Sequence, residues 1–267
     1  MTRNDFQTVV VGGGCTGSAT AYWLAVRDQR DVLLLEQRPM GHALGSSGDH
    51  SRIIRHSYHD NIYGRLTRRM YDMRARLDRE SGQRVFVRTG GLDIAVEGSS
   101  GTDSVETYRQ VMETNGIPFE KLDKRRLQER FPQWDITEDD VRATYQPDTG
   151  LIDIRRTTVT HLTLAESLGV TVRDTITVRA LEPFDGGLRI VTDGGTHTAD
   201  KVVVAVGSWA DQLLKPLGQT WDTTITEEQV VYVRTPRLKD FSVGAFPIWA
   251  WHGDDIFYGF PTTARSR

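Results

Sequence analysis

The amino-acid sequence predicts an α/β protein made of two interleaved parts. Three observations favour this fold class: an apolar strand that runs into a glycine-rich turn and a helix near the N-terminus, a second apolar strand directly after that helix, and alternating hairpin patterns in the middle and at the end. The first two observations describe a parallel βαβ unit, whereas the hairpins describe an antiparallel sheet. The expected architecture is therefore an α/β unit interleaved with an α+β domain.

The first strand is a β-branched run, Val9 to Val11, and the turn that follows contains GxGxxG through Gly12, Gly14 and Gly17. A helix from 18 to 26 and a strand from 32 to 35 come next, and this second strand ends at Glu36. Strand, glycines, helix, strand and acid occur in the order of a Rossmann-like dinucleotide-binding unit. We therefore predict adenine-dinucleotide binding, and the alternative is a purely structural glycine turn.

Each residue type in this unit has a mechanical role. The first glycine allows the tight turn, the second lets a pyrophosphate approach the backbone, and the third lets helix and strand pack closely. The N–H groups and the dipole of the helix N-terminus attract the phosphates. Glu36 follows Gly17 at the spacing of an acid that accepts hydrogen bonds from ribose hydroxyls.

Composition and net charge argue against several classes of partner and site. The chain has 267 residues, a net charge of −3, 38% hydrophobic and 26% charged residues, and one cysteine. This balance gives no general attraction to nucleic acid or to an anionic membrane, and one cysteine excludes an intrachain disulfide or a Cys-based zinc cluster. No metal site is predicted. The first strand begins close to the N-terminus and no apolar run reaches the length of a membrane span, so a cytoplasmic location is expected.

A polar loop follows the second strand. It runs from Gly41 to Asp60 and contains Ser46, Ser47 and Ser51 before the sequence RIIR, in which Arg52 and Arg55 flank two isoleucines. A loop at the carboxyl end of a parallel strand lies where ligands bind. The arginines are therefore candidate ligand contacts, with a solvated face or surface salt bridges as the alternative.

The rest of the chain continues the two patterns. Helices are predicted at 61–81, 103–115, 155–168 and in a short segment between Asp123 and Pro132. Strands are predicted at 85–87, 92–96, 170–172, 176–181, 188–191, 201–206, 229–233, 246–251 and 256–260. The resulting domain limits are 1–84 with 151–220 for the nucleotide-binding domain, and 85–150 with 221–267 for the second domain.

Four motifs together resemble one family. The GxGxxG start ending in an acid, the GSS…SRIIR loop, the VVVAVGSW strand at 202–209 and the YGFP at 258–261 are similar to the FAD-dependent amine oxidases. The nearest branch is that of monomeric sarcosine oxidase and N-methyltryptophan oxidase, within the D-amino acid oxidase superfamily. The resemblance runs in order from Val9 to Pro261 and implies an FAD-binding domain interrupted by a substrate domain.

The resemblance also implies roles for individual residues. The residues that match the family's FAD contacts are Gly12, Gly14, Gly17, Glu36, Arg38, Ser46, Ser47, Ser51, Val178, Gly207 and Trp209. Arg52 and Tyr258 match catalytic positions, and Arg55 matches the arginine that binds the substrate carboxylate. The implied reaction is oxidation of a secondary amine or an N-methyl amino acid to the imine, with oxygen as acceptor and a small molecule as substrate.

The family pattern continues beyond the last residue of this sequence to a lysine that activates oxygen and a segment around the flavin ring. The resemblance therefore implies a chain that lacks the family's C-terminal third, for which weak FAD retention and low oxidase turnover are expected. Two alternatives remain: a non-catalytic FAD-binding remnant, and a nicotinamide-dependent dehydrogenase. The VVVAVGSW strand and the lack of a second GxGxxG argue against the dehydrogenase.

Overall fold

A computed structural model describes residues 4–29 and 31–262. Its helices are α1 (Cys15–Val26), α2 (Asn61–Ser81), α3 (Gly101–Thr114), α4 (Lys124–Arg130), α5 (Ile154–Ser167) and α6 (Ala210–Leu214). Its strands are β1 (Asp5–Val11), β2 (Val32–Leu35), β3 (Arg52–Ile54), β4 (Phe86–Arg88), β5 (Gly91–Val96), β6 (Glu120–Asp123), β7 (Val141–Gln146), β8 (Gly150–Ile152), β9 (Thr171–Arg173), β10 (Val178–Phe184), β11 (Gly187–Thr192), β12 (Gly195–Val204), β13 (Ile248–His252) and β14 (Ile256–Gly259).

The chain folds into two compact units. Among the described residues, the first unit contains those up to 51 together with 153–230, and the second contains 52–152 together with 231–262. These limits differ from the predicted domain limits chiefly over residues 52–84, which fall in the second unit. The physical reason lies in the partners of these residues. Strand β3 pairs with β8 and helix α2 packs against α3, and β8 and α3 belong to the second unit.

The first unit is built on a six-stranded sheet in the order β10-β11-β12-β1-β2-β9. Strands β12, β1, β2 and β9 are parallel to one another, whereas β10, β11 and β12 form an antiparallel meander. Helices α1 and α5 pack against each other. The apolar runs that suggested buried strands are buried on both faces, as expected for a parallel sheet covered by helices.

The second unit contains a five-stranded sheet in the order β14-β13-β5-β7-β6 and a three-stranded sheet in the order β3-β8-β4. The larger sheet is antiparallel except where β13 runs parallel to β5. One face of this sheet packs into an apolar cluster with α4 through Leu92, Ile94 and Leu127. Helix α3 also contacts β5, β7 and β13. The predicted α/β class, with a Rossmann-like unit and an α+β unit, is confirmed.

Several element predictions are correct and others are wrong. Helix α2 has the predicted bounds, and the Asp123 carboxylate caps α4 by accepting a hydrogen bond from the Arg126 N–H at 2.8 Å. The predicted strand at 229–233 is absent, and the segment is irregular. Its side chains are exposed, up to 84% at Val233, so they are not part of a buried core. Strand β7 was not predicted, although it lies inside the larger sheet, between β5 and β6.

The helices in the described part of the chain give no indication of a membrane span, since each is too short or too polar to cross a bilayer.

Candidate cofactor and substrate sites

The first unit contains a cavity of about 630 Å³ at the carboxyl ends of β1, β2 and β12. Its walls come from the glycine turn after β1, the loop after β2, the start of β10 and the segment after β12. This volume is in the range of pockets that hold small molecules, and the carboxyl ends of parallel strands are where such folds bind ligands. The predicted cofactor residues that line it are Gly12, Gly14, Glu36, Ser46, Ser47, Val178, Gly207 and Trp209.

The glycines of the turn are required by close packing. A Cβ on Gly17 would lie 1.8 Å from the carbonyl oxygen of Gly12, and a Cβ on Gly12 would lie 2.4 Å from that of Ala205. Gly12 also has a φ of +103°, a conformation that favours glycine. Gly17 does not line the cavity, and its role is to let α1 approach the turn. The turn therefore presents backbone, without side chains, to whatever occupies the cavity.

Glu36 is a buried acid at the end of β2, with 6% of its surface exposed. Its Oε2 accepts a hydrogen bond from the Gly13 N–H at 2.7 Å, and its Oε1 accepts one from the Arg38 N–H at 3.0 Å. A carboxylate has about four acceptor positions, so each oxygen keeps capacity for a ligand hydroxyl. Arg38 thus contributes only through its backbone N–H, which holds the Glu36 carboxylate, and its side chain does not line the cavity.

Ser47 reaches the beginning of α1. Its Oγ accepts a hydrogen bond from the Cys15 N–H at 2.9 Å, which leaves the hydroxyl hydrogen available to donate to an anion. Gly14 is the N-cap of α1 and has no side chain to cap the helix, so the first-turn N–H groups face the cavity end. The chemistry of this corner suits a phosphate group.

The opposite wall is formed by β10 and by the 3₁₀ turn Gly207–Trp209. Gly207 has a φ of +56°, and the Trp209 ring lies within 3.4 Å of the position that a Cβ on Gly45 would occupy. The segment after β12 therefore packs against the loop after β2, which contains Gly45. Ser51, also predicted to contact the cofactor, belongs to the first unit but is outside the cavity lining.

The cavity wall also contains ionisable side chains that no motif indicated, among them those of His42 and Arg155. The His42 Nε2 lies 3.4 Å from the Glu36 Oε1, and the His42 Nδ1 accepts a hydrogen bond from the Leu44 N–H. Arg155, on α5, donates to the Gly41 carbonyl oxygen at 3.2 Å. No sequence motif marks either residue, because their positions depend on how α5 meets the loop after β2.

The second unit brings Arg55 and Tyr258 to one face of its larger sheet. Tyr258 pairs with Ala250, Ala250 pairs with Asp93, and Asp93 pairs with Thr144. Residues that pair directly across neighbouring strands point to the same face, so these four form a row across the sheet. The Nη1 of Arg55 lies 3.6 Å from the Asp93 Oδ1 on this face. A shallow hollow there includes Arg55, Asp93 and Ala250 in its lining.

Arg55 is held by aromatic rings as well as by the acid. Its guanidinium carbon lies 5.2 Å from the centroid of the Tyr58 ring and 5.8 Å from that of Tyr108, within the range of a cation–π contact. Burial raises the pKa of Tyr108, so its phenol is neutral. The Arg55 side chain is 28% exposed and therefore remains accessible to a ligand.

Asp93 and His252 are the residues of this face that the sequence analysis missed. Asp93 is 5% exposed and His252 is 3% exposed, and the His252 Nε2 lies 3.0 Å from the Asp93 Oδ1. The available signal was a single acid inside the apolar strand GLDIAV. Arg52 begins β3, where its backbone pairs with Ile152. The described residues hold no cluster of three or more histidine, cysteine or acidic side chains suited to a metal.

Comparison with known proteins gives a family match over almost the whole chain. The family described as DAO, FAD dependent oxidoreductase, matches residues 7–266. Among curated proteins, the monomeric sarcosine oxidase of Streptomyces avermitilis is 34% identical over 262 residues, covering 96% of this chain and 66% of that protein. The N-methyl-L-tryptophan oxidase of Yersinia pestis is 27% identical over 261 residues, covering 96% and 67% respectively.

Solved structures agree with this result. A variant of NikD, described as an unusual amino acid oxidase essential for nikkomycin biosynthesis, matches in its open form with a TM-score of 0.78 and 27% identity. The match covers 97% of this chain and 66% of that one. This chain therefore spans about two thirds of the length of the relatives that it matches.

Proposed function

The chain belongs to the FAD dependent oxidoreductase (DAO) family, and on that premise we propose that it binds FAD and oxidises a secondary amine or an N-methyl amino acid to the imine. The observation that carries the proposal is the cavity of the first unit, where a side-chain-free glycine turn, a buried acid and a helix N-terminus come together. These three features suit the pyrophosphate and ribose of a dinucleotide.

In this proposal the backbone of the glycine turn and the start of α1 hold the pyrophosphate, with the Ser47 hydroxyl as an additional donor. Glu36 accepts hydrogen bonds from the ribose of the adenosine, and Val178 lies along the adenine. Gly207 and Trp209 close the opposite side. Ser46, Ser51, Arg38 and Gly17 remain proposed cofactor contacts or supports on the strength of the family resemblance.

The substrate residues are proposed for the second unit. Arg55 offers a planar fork of N–H donors that can hold a carboxylate with two charge-assisted hydrogen bonds. Tyr258 lies on the same sheet face and supplies a hydroxyl and a ring that orient the substrate. Arg52 supplies a fixed positive charge that stabilises negative charge during the reaction.

FAD, when bound, supplies the acceptor for the hydride equivalent that leaves the amine carbon, and oxygen is the proposed final acceptor. The names of the relatives support the substrate class, because both curated proteins are named for N-methylated amino acids. The protein's own contribution is to bind and orient the amine so that this transfer has the required geometry.

The test is an absorbance spectrum of the purified chain with and without added FAD, followed by anaerobic addition of sarcosine. We expect bound flavin absorbance that is bleached by sarcosine. If the chain binds FAD but no N-methyl amino acid reduces it, the protein is a non-catalytic FAD-binding protein. If the chain does not bind FAD but binds NADH, it is a dehydrogenase. Arg55→Lys should weaken the response to sarcosine, whereas Arg125→Lys, at an exposed surface ion pair, should not.

A further inference from the structure

The carboxylate of Asp93 lies beside the guanidinium that is proposed to bind the substrate. The Asp93 Oδ1 is 3.6 Å from the Arg55 Nη1, a distance longer than a hydrogen bond. The Asp93 carboxylate therefore does not occupy the N–H donors of Arg55, although a negative charge is fixed next to them. The proposed function makes no use of this charge.

His252 holds the Asp93 carboxylate in place. Its Nε2 lies 3.0 Å from the Asp93 Oδ1, and because an ionised carboxylate can only accept, the Nε2 carries the hydrogen. Both side chains are almost fully buried, and Gly101 is pressed against His252 so closely that a Cβ there would lie 2.1 Å from the His252 carbonyl oxygen. The negative charge is therefore held in a fixed position.

A fixed acid at this place is costly if its only role is structural. A buried ion pair repays its desolvation only with very good geometry, and an apolar side chain of similar volume is often as stable or more so. The contact with Arg55 at 3.6 Å is not such a geometry, and the hydrogen bond at 3.0 Å comes from His252, not from Arg55. A role in ligand recognition explains why the charge is retained inside an otherwise apolar strand.

We propose that Asp93 is a specificity-determining residue that makes the Arg55 site select zwitterionic amino acids over carboxylates that lack an amine. The inference rests on the proposed function, in which Arg55 binds the substrate carboxylate. A ligand with only a carboxylate is attracted by Arg55 and repelled by Asp93, because these two opposite side-chain charges lie next to each other. A ligand that also carries an ammonium group is neutral overall, and its positive end is attracted to Asp93.

The size of this selection follows from the charges. Repulsion between two like charges separated by about 7–8 Å at a partly buried site corresponds to a penalty on the order of tenfold in affinity after screening by water and salt. The ammonium group of a zwitterion offsets this penalty. The effect is a ratio between two ligands, so a variant that only loosens the fold, and weakens both ligands alike, leaves it unchanged.

The experiment compares sarcosine with methoxyacetate, which has the same shape and carboxylate but an ether oxygen in place of the amine. Dissociation constants of both are measured by anaerobic calorimetry for the chain loaded with chemically reduced FAD, which cannot oxidise sarcosine, and for the variants Asp93→Asn and Glu97→Gln in the same form. Asparagine keeps the shape and the acceptor for His252 but removes the charge. Glu97, paired with Arg142 at the end of the same strand, is the matched control for loss of one negative charge.

We expect the wild-type chain and Glu97→Gln to prefer sarcosine, and Asp93→Asn to lose on the order of tenfold of that preference by gaining affinity for methoxyacetate. If Asp93→Asn changes both affinities equally, the inference is overturned while the role of Arg55 stands. If the wild-type chain binds neither ligand, the inference and the proposed function both fail. Asp93→Thr, which keeps strand propensity and a hydroxyl for His252, replaces Asp93→Asn if that variant does not fold.

Discussion

At the scale of single residues, the glycine turn after β1 requires glycine because its backbone packs too closely to leave room for side chains. Gly17 packs so closely on Gly12 that no side chain fits between them. Glu36 is buried, yet both of its oxygens are bonded to backbone N–H groups, which satisfies the charge without an ion pair to a lysine or arginine. These two residues therefore give the sharpest tests of the cofactor site.

Gly17→Ala should destabilise the chain and abolish tight FAD binding. The new Cβ would lie 1.8 Å from the Gly12 carbonyl oxygen, so α1 or the turn has to move. Overpacking of this kind costs about 1–3 kcal/mol. Thermal unfolding and an FAD titration measure the two effects. Gly253→Ala, where a Cβ would meet only ordinary contacts at 3.5 Å, is the control and should stay within about 0.5 kcal/mol of the wild-type stability.

Glu36→Gln should weaken FAD binding by about tenfold or more, because the amide replaces one acceptor oxygen with a donor that faces a backbone N–H. The loss of the Gly13 or Arg38 bond also disturbs the turn. The dissociation constant for FAD, measured by flavin fluorescence, checks this. Glu182→Gln, at an exposed ion pair with Arg189, is the matched control. Equal FAD affinity in the two variants would contradict a ribose-binding role for Glu36.

At the scale of elements, the packing of α1 against α5 includes an aromatic contact made by a buried histidine. His161 on α5 lies with its ring centroid 5.5 Å from that of Tyr22 on α1. Burial lowers the pKa of His161 to about 4, and its Nδ1 has no hydrogen-bond partner within the described ranges. The histidine is therefore neutral in the folded chain at neutral pH.

The stability of this helix pair should fall as the pH is lowered from about 6.5 towards 4. In that window the unfolded chain binds a proton at His161 and the folded chain does not, so the stability present above pH 6.5 is progressively lost. The full loss amounts to about 3 kcal/mol. His161→Phe, which keeps a ring against Tyr22, should show a smaller decrease in the free energy of unfolding between pH 7 and pH 4.5. Denaturant unfolding at the two pH values measures it, and identical slopes in both chains would rule out the assignment.

At the scale of the whole molecule, β14 is the end strand of the larger sheet in the part of the chain that the structure describes. Ile256, Phe257 and Tyr258 on this strand are all more than half exposed. An exposed, apolar end strand offers unpaired N–H and C=O groups that can pair with another chain.

Association that increases with concentration is therefore expected for the isolated chain, and Phe257→Lys should reduce it, because a charge on an end strand opposes pairing. Sedimentation velocity over a range of concentrations is the measurement. Lys121→Arg, an exposed change on β6 at the other end of the sheet, should leave association as it is. A wild-type chain that stays monomeric at all concentrations would refute this expectation.

The amino-acid sequence by itself determined the Rossmann-like start, the long helix α2 and the hairpin of β13 and β14, because each depends on local periodicity, turn residues and caps. It also gave the candidate residues Glu36, Arg55 and Tyr258 through motifs. The tertiary structure decided what periodicity does not encode. It placed β7 between β5 and β6 in the larger sheet, left 229–233 without strand partners, and set the buried Asp93 beside Arg55. Strand pairing and the approach of distant charges depend on contacts between residues far apart in the chain, and a local pattern carries no information about them.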